Sequence, residues 1–253
     1  MFTQAILRVP DRNFVNGITS SNLGLPHYET ALSQHLTYQK ALEECGLKTQ
    51  ILPSDPHFPD SCFIEDVALC TPKCAIITRP GALERRKETE GIDLILKEFY
   101  EEIEYIQAPG TLEAGDVMMV ENHYFIGLSK RTNPEGANQF IQILNQYDMT
   151  GSVVELSQVL HLKTGVSYLE NDYMLATGEF LDKVEFQSFH LIEVPGEEAY
   201  AANSVWVNGK VLIPEGFPRT REKIEKAGYA TIPLPVSEFQ KLDGGLSCLS
   251  LRF

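Results

Sequence analysis

The sequence predicts an α/β fold: a five-bladed α/β propeller of ββαβ units around a central polar cavity. Three observations predict it. Five polar or Gly-rich junctions each lead into a short apolar strand, about 40–50 residues apart, the spacing of blade and solenoid repeats. A second apolar run ending in a charged turn follows four of them. Helical periodicity follows each second run, and a further extended run follows most of the helices. No such unit buries both faces of its small sheet alone, so the units are expected to pack around a common axis. Strand-strand-helix order counts against the competing architecture, a doubly wound sheet.

The junctions come in chain order. The first is Asp60-Ser61-Cys62-Phe63-Ile64-Glu65-Asp66, entering an inner strand at Val67-Ala68-Leu69. The second is Glu113-Ala114-Gly115-Asp116 before residues 117–120, and the third runs from His161 through Gly165 to residues 166–169. Asn203-Ser204 precedes Val205-Trp206-Val207, and Gly245-Leu246-Ser247-Cys248 precedes Leu249-Ser250-Leu251. The second runs with their charged turns are 74–81, 124–131, 173–179 and 210–216, and Ala5-Ile6-Leu7-Arg8-Val9-Pro10 plays that part for the last junction, so the chain is expected to close on itself. Helices are expected over 29–45, with Leu32, Leu36 and Leu42 on the apolar face and Gly46 ending it. Others are expected over 88–102, over 133–147 after an Asn-Pro start, and over 219–227. Outer strands are expected at 49–53, 103–106, 152–156 and 229–233.

At 253 residues, with 43% hydrophobic and 22% charged residues, the chain has ample material for a core. It reads as a single catalytic domain, 1–253, of five pseudo-repeats. A net charge of −14 argues against nucleic acid and anionic membrane as partners and suits a cationic small molecule. No apolar run reaches the roughly 20 residues of a membrane helix, and residues 1–8 do not read as a signal peptide. The expected compartment is the cytoplasm, and a homodimer is admitted as the assembly. Five scattered cysteines make no disulfide framework. Cys70 and Cys74 have no matching second pair, and no GxGxxG, P-loop or HExxH occurs, so neither a metal nor another cofactor is expected.

Cys248, between a Gly-Gly step that permits an exposed tight turn and a strand, reads as a thiol nucleophile as readily as a buried apolar cysteine, and Ser247 offers it a donor. His161 and Glu113, each at a junction, supply the proton carrier and the orienting carboxylate. Asp116 serves equally as the cap of a turn. Asp60, Glu65 and Asp66 read either as a solvated loop or as carboxylates facing a cation, and a guanidinium fits such a set in bidentate geometry. Arg85 and Arg131 are solvated surface or, if they flank the cavity, a clamp for a substrate carboxylate.

Taken together, Phe58-Pro59-Asp60-Ser61-Cys62-Phe63-Ile64-Glu65-Asp66, Thr78-Arg79-Pro80-Gly81-Ala82 with Arg85-Arg86, Leu128-Ser129-Lys130-Arg131-Thr132-Asn133, Leu160-His161-Leu162-Lys163-Thr164 and Asp243-Gly244-Gly245-Leu246-Ser247-Cys248 resemble the dimethylarginine dimethylaminohydrolases, in order and over nearly the whole chain. The resemblance implies the pentein fold, a propeller of this kind. It implies hydrolysis of Nω-methylated arginines to citrulline and a methylamine through a covalent thiouronium on the cysteine. It makes Cys248 the nucleophile, His161 the general acid and base, and Glu113 and Asp66 the carboxylates on the guanidinium. Asp60, Arg85 and Arg131 match positions that hold the amino-acid end, Glu65 a neighbouring substrate-site residue, and the region of Ile18 a flap. Ile18 stands where a leucine is common, a change that a backbone contact survives. Arginine deiminases and amidinotransferases resemble each other in an aspartate two residues after the histidine, where this chain has Lys163. That difference favours the dimethylarginine branch over an arginine deiminase or another guanidine hydrolase. The Cys-His-Glu set speaks against a non-enzymatic pentein-like binding module, and a small charge-matched cavity against a cysteine protease.

Overall fold

A computed structural model describes residues 1–253. Along the chain run β1 (Gln4–Arg8), α1 (Tyr28–Glu44), β2 (Lys48–Leu52), β3 (Ala68–Cys70), β4 (Ala75–Ile77), α2 (Ile92–Leu96) and β5 (Ile103–Tyr105). Next come β6 (Val117–Val120), β7 (His123–Leu128), α3 (Pro134–Gln146), β8 (Thr150–Glu155), β9 (Val166–Tyr168), β10 (Tyr173–Ala176) and β11 (His190–Glu193). The chain ends with β12 (Val205–Val207), β13 (Lys210–Pro214), α4 (Pro218–Lys226), β14 (Ala230–Leu234), α5 (Ser237–Gln240) and β15 (Leu251–Arg252).

These strands form five three-stranded sheets, β15-β1-β2, β3-β4-β5, β6-β7-β8, β9-β10-β11 and β12-β13-β14. In each, the first strand runs antiparallel to the middle one and the third runs parallel to it. An antiparallel neighbour needs only a short turn, whereas a parallel one needs a crossover, here usually a helix. The closing sheet pairs Ile6 with Leu251, so the two ends of the chain share one sheet as expected. A 3₁₀ turn precedes the inner strand at every junction: Ile64–Val67, Ala114–Asp116, Leu162–Thr164, Gly196–Ala202 and Ser247–Leu249. Cys248 therefore sits within a turn, not at a strand start.

The chain divides into two compact units, Met1–Ile64 with Gly165–Phe253, and Glu65–Thr164. The first unit holds three of the sheets. Its larger core gathers Leu7, Tyr38, Leu42, Val205 and Leu249 around the rings of Phe14, Phe63 and Phe239, whose centroids lie 5.4 to 6.1 Å apart. A second core packs Leu175, Val211, Ile213 and Ile224. The second unit holds the other two sheets, with Ile76, Val117, Ile126, Phe140 and Leu144 at its centre. Helix α3 starts where Asn133 accepts the Gly136 N–H at 2.8 Å and Pro134 fills the first turn. Its buried face is Ala137, Phe140, Ile143 and Leu144, and a fully buried phenylalanine there stabilises by roughly 3–5 kcal/mol against alanine.

Three local expectations are corrected. Helix α1 buries Ala31, His35, Tyr38, Ala41 and Leu42, while Leu36 is exposed, because Tyr38 fills the core. The helix expected over 88–102 breaks into a 3₁₀ segment, Leu83–Thr89, and the short α2, since Gly91 takes the left-handed region at φ 79° between them. The blade after β10 carries 3₁₀ turns at Gly178–Leu181 and Val184–Phe186 instead of an α-helix. No helix is long and apolar enough to cross a membrane.

Candidate active site

The second unit carries the charges. The 3₁₀ turns at 114–116 and 162–164 bring Glu113, Asp116 and His161 together. Glu113 is fully buried, and its Oε2 lies 2.8 Å from His161 Nε2. Arg131 Nη1 donates to both Glu113 oxygens at 3.2 Å, and the Ala82 N–H donates to Oε1 at 3.0 Å. Burial pushes the Glu113 carboxyl up, but the His161 hydrogen bond and the charges of His161, Arg85 and Arg131 outweigh it, holding it at about 2. Burial likewise pulls His161 down, and the charge of Asp116, the Glu113 hydrogen bond and the charge of Asp66 raise it to about 9. At neutral pH the imidazole is therefore protonated against an ionised Glu113.

Asp116 does more than cap a turn. Its Oδ1 accepts the Leu162 N–H at 3.0 Å and its Oδ2 the Ser129 hydroxyl at 2.6 Å. It thus fixes the backbone next to His161, and its charge raises the imidazole pKa. Gly115 leaves room for this: a Cβ there would stand 2.9 Å from His161 Cγ and 3.0 Å from Asp66 Oδ1. Asp66 Oδ1 accepts the Gly115 N–H at 2.9 Å, and its Oδ2 takes Arg85 Nη1 at 2.6 Å. Arg85, only 5% exposed, also donates to Glu88 from Nε at 3.0 Å and Nη2 at 2.8 Å. Burial opposes its charge, but Glu88 and Asp66 hold it well above the usual arginine value. Glu65 pairs with Lys163 at 2.6 Å.

Arg85 and Arg131 are thus neither solvated nor idle; each is bound to carboxylates of the protein. Glu65, Asp66, Glu88, Glu113 and Asp116 face Arg85, Arg131, Lys163 and a protonated His161, one carboxyl more than the cations. Such a set takes one further cation without a large electrostatic penalty. Ligand atoms of Asp66, Glu113 and His161 lie within 4.8 Å of one another, a spacing that would suit a divalent ion. Arginine donors and a protonated imidazole already occupy them, which favours hydrogen bonding over coordination.

The first unit carries the thiol. The Gly-Gly step before Cys248 is buried, contrary to an exposed turn, and its value is close approach. A Cβ at Gly244 would meet Phe63 Cε1 at 2.1 Å, and one at Gly245 would meet Asn203 Oδ1 at 2.5 Å. Asn203 Oδ1 accepts the Ser247 N–H at 2.9 Å while its Nδ2 donates to Ser247 Oγ at 3.1 Å. Tyr200 Oη donates to the Gly244 carbonyl at 2.7 Å. The Gly245 N–H points at Cys248 Sγ at 3.4 Å, and Ser247 Oγ lies 4.0 Å from that sulfur. Cys248 is half-buried, and none of the five cysteines forms a disulfide. Asp60, buried in this unit, accepts the Ile18 N–H with both oxygens at 3.1 Å. Asn203 and Tyr200 escaped sequence reasoning, although the fourth junction begins at Ala202-Asn203.

The arginine deiminase family model matches residues 39–211. A dimethylarginine dimethylaminohydrolase of Pseudomonas aeruginosa is 56% identical, covering 100% of both chains. The structure of a Pseudomonas aeruginosa enzyme of that name, a cysteine-to-serine mutant with citrulline, superposes at a TM-score of 0.99 with 56% identity over 100% of both chains. A histidine-to-glycine variant of a dimethylarginine dimethylaminohydrolase, solved as an adduct with S-methyl-L-thiocitrulline, matches at the same TM-score, 0.99, with 56% identity and 100% coverage of both chains. The fold is accordingly the five-bladed α/β propeller.

Proposed function

The chain belongs to the family of dimethylarginine dimethylaminohydrolases, and from that premise we propose that it hydrolyses Nω,Nω-dimethyl-L-arginine, and the monomethyl form, to L-citrulline and dimethylamine or methylamine. The observation that carries this reading is the buried, oppositely charged His161–Glu113 pair, set among Asp66, Arg85 and Arg131.

In this reading the Cys248 thiolate attacks the guanidinium carbon, and a C–S bond forms. Asp66 and Glu113 hold the cation as it becomes tetrahedral. His161 gives its proton to the departing dimethylamine nitrogen, the C–N bond breaks, and a thiouronium stays on sulfur. Neutral His161 then takes a proton from water as the water oxygen joins the same carbon. Collapse breaks the C–S bond, the remaining hydroxyl proton passes to the released dimethylamine as the carbonyl forms, and citrulline leaves with both the thiolate and the imidazolium restored. A free thiol titrates at about 8.5, so the cationic substrate assists its ionisation by neutralising the carboxylate excess.

Asp60 and the Ile18 backbone take the substrate's ammonium end, and Glu65 is a further substrate-site residue. Arg131, 17% exposed at its side chain, carries most of the clamp on the α-carboxylate, because Arg85 is more fully spent on Asp66 and Glu88. Ser247 steadies the nucleophile through Asn203. A reducing cytosol suits a thiol nucleophile.

Deimination of free arginine is the second reading, favoured by the arginine deiminase model. Against it, residue 163 is a lysine that neutralises Glu65 instead of a further carboxylate for an unmethylated guanidinium. The test is citrulline and amine release from dimethylarginine, monomethylarginine and arginine. Citrulline and dimethylamine in equal amounts support the proposal, and turnover of arginine alone overturns it.

A further inference from the structure

Residues 17–27 link a 3₁₀ turn to α1 without helix or strand, and from Ile18 to Pro26 they make no backbone–backbone hydrogen bond. Carboxylates hold this strap instead. The Ile18 N–H goes to Asp60, the Ser20 N–H to Asp243 Oδ2 at 2.6 Å, and the His27 N–H to Glu238 Oε2 at 2.6 Å. Asp243 does more than the others. The same Oδ2 accepts the Ser20 hydroxyl at 3.0 Å and lies 3.2 Å from Thr19 Oγ1, which also reaches the Lys241 carbonyl at 3.0 Å.

Asp243 also ends the turn that follows α5, from which Gly244 and Gly245 lead into the 3₁₀ turn that bears the thiol. Its φ of 58° lies in the left-handed region, where aspartate is among the better-tolerated side chains. That conformation sends the side chain onto the strap while the backbone continues into Gly244, held by Tyr200, and Gly245, whose carbonyl accepts the Cys248 N–H at 3.2 Å. One residue therefore joins the segment with Ile18 to the segment with Cys248.

We propose that Asp243 is a positioning residue: its carboxylate fixes residues 18–20 in the conformation that receives the amino-acid end of the substrate, and ties them to the nucleophile turn. The inference rests on the proposed function for the substrate, though the tie itself does not. A residue that touches no reacting atom then governs affinity more than the chemical step, because the strap must be ordered at binding and the thiol is held by other bonds.

Asp243→Gly keeps the left-handed backbone and removes only the acceptor. It should raise KM for dimethylarginine roughly tenfold while kcat changes less than about threefold, as loss of charge-assisted bonds on the strap predicts. Hydrogen exchange in peptides covering 18–23 should quicken, with α1 unchanged. Asp243→Asn, which keeps an acceptor oxygen, should restore most of both. Thr19→Val with Ser20→Ala changes exposed residues only. It should raise KM by a smaller factor and add little on top of Asp243→Gly. If Asp243→Gly fails to fold, the Thr19→Val/Ser20→Ala enzyme decides. Unchanged KM together with unchanged strap exchange in that variant overturns the proposal, as does an Asp243→Gly enzyme that loses kcat and keeps KM. A wild-type enzyme that makes no citrulline would sink the proposed function instead, and the exchange measurement would still judge the tie.

Discussion

The two units hold their functional groups by different physics. In the first, the Cys248 turn is fixed by neutral hydrogen bonds from Asn203 and Tyr200 and by glycines pressed against Phe63 and Asn203. In the second, His161, Glu113, Asp66, Arg85 and Arg131 are fixed by one another's charges, largely out of water. A neutral frame places a nucleophile without deciding its protonation. A charged frame sets protonation and place together, so one substitution there disturbs both. Changes around the thiol should therefore act through geometry and be nearly independent of pH, whereas changes around the imidazole should act through charge.

The largest effect expected is that of Cys248, the proposed nucleophile. Cys248→Ser should lose about four orders of magnitude or more in kcat while still binding substrate, since a hydroxyl is a far poorer nucleophile. Isothermal titration beside a citrulline assay checks both halves, and a serine variant with substantial turnover would break the assignment. His161→Gly should lose about 10²–10⁴-fold, the range of a general acid–base group, with partial rescue by added imidazole. A variant that stays active with the wild-type pH profile would remove His161 from the chemistry.

Next come the carboxylates and their partners. Glu113→Gln should depress kcat more than tenfold, as the loss of a charge-assisted hydrogen bond of roughly 1.5–3 kcal/mol predicts. Arg131→Ala should act mainly on KM, with Arg85→Ala showing the larger loss of kcat because it leaves Asp66 and Glu88 buried without their cation. Steady-state kinetics of the three variants that put all the loss in KM would dissolve the contrast between clamp and guanidinium site.

The smallest effect is a matter of pH and isolates the charged frame. His161 is raised from 6.5 to about 9, so the stability this gives is complete below about 6.5 and is lost as pH rises through about 9. Glu113 is lowered from 4.5 to about 2, so its contribution is complete above about 4.5 and is lost as pH falls through about 2. The free-enzyme profile of kcat/KM should fall on the alkaline side near 9, and Asp116→Asn, which removes the largest charge raising His161, should move that limb to lower pH. A change confined to the thiol turn, such as Asn203→Ala, should leave the limb where it is. Equal shifts from both variants would erase the distinction between the two frames.

Much of this was legible in the chain. The five junctions, the inner strands and the closure of Ile6 on Leu251 follow from alternation and turn residues, which are local signals. Cys248, His161 and Glu113 stand at three of those junctions, where the repeat pattern and their side-chain chemistry together mark them. The turn geometry was less legible, because Gly244 and Gly245 serve close approach to Phe63 and Asn203, far away in sequence. One partner of Arg85 was hidden for the same reason: Asp66 lies 19 residues away, whereas Glu88 follows three residues on. In helix α1 the apolar pattern favours Leu36 for the core, whereas Tyr38 fills it and ends in a hydroxyl 2.8 Å from Ser250 Oγ. Side-chain networks between distant residues leave no periodicity to read.

The most direct test of the account is a rapid acid quench during turnover of dimethylarginine, followed by mass spectrometry of the peptide containing Cys248. The account predicts a transient adduct on Cys248 with the mass of the substrate less dimethylamine, formed before citrulline and absent in Cys248→Ser. An adduct on another residue, or citrulline released by Cys248→Ser at the wild-type rate, would contradict it.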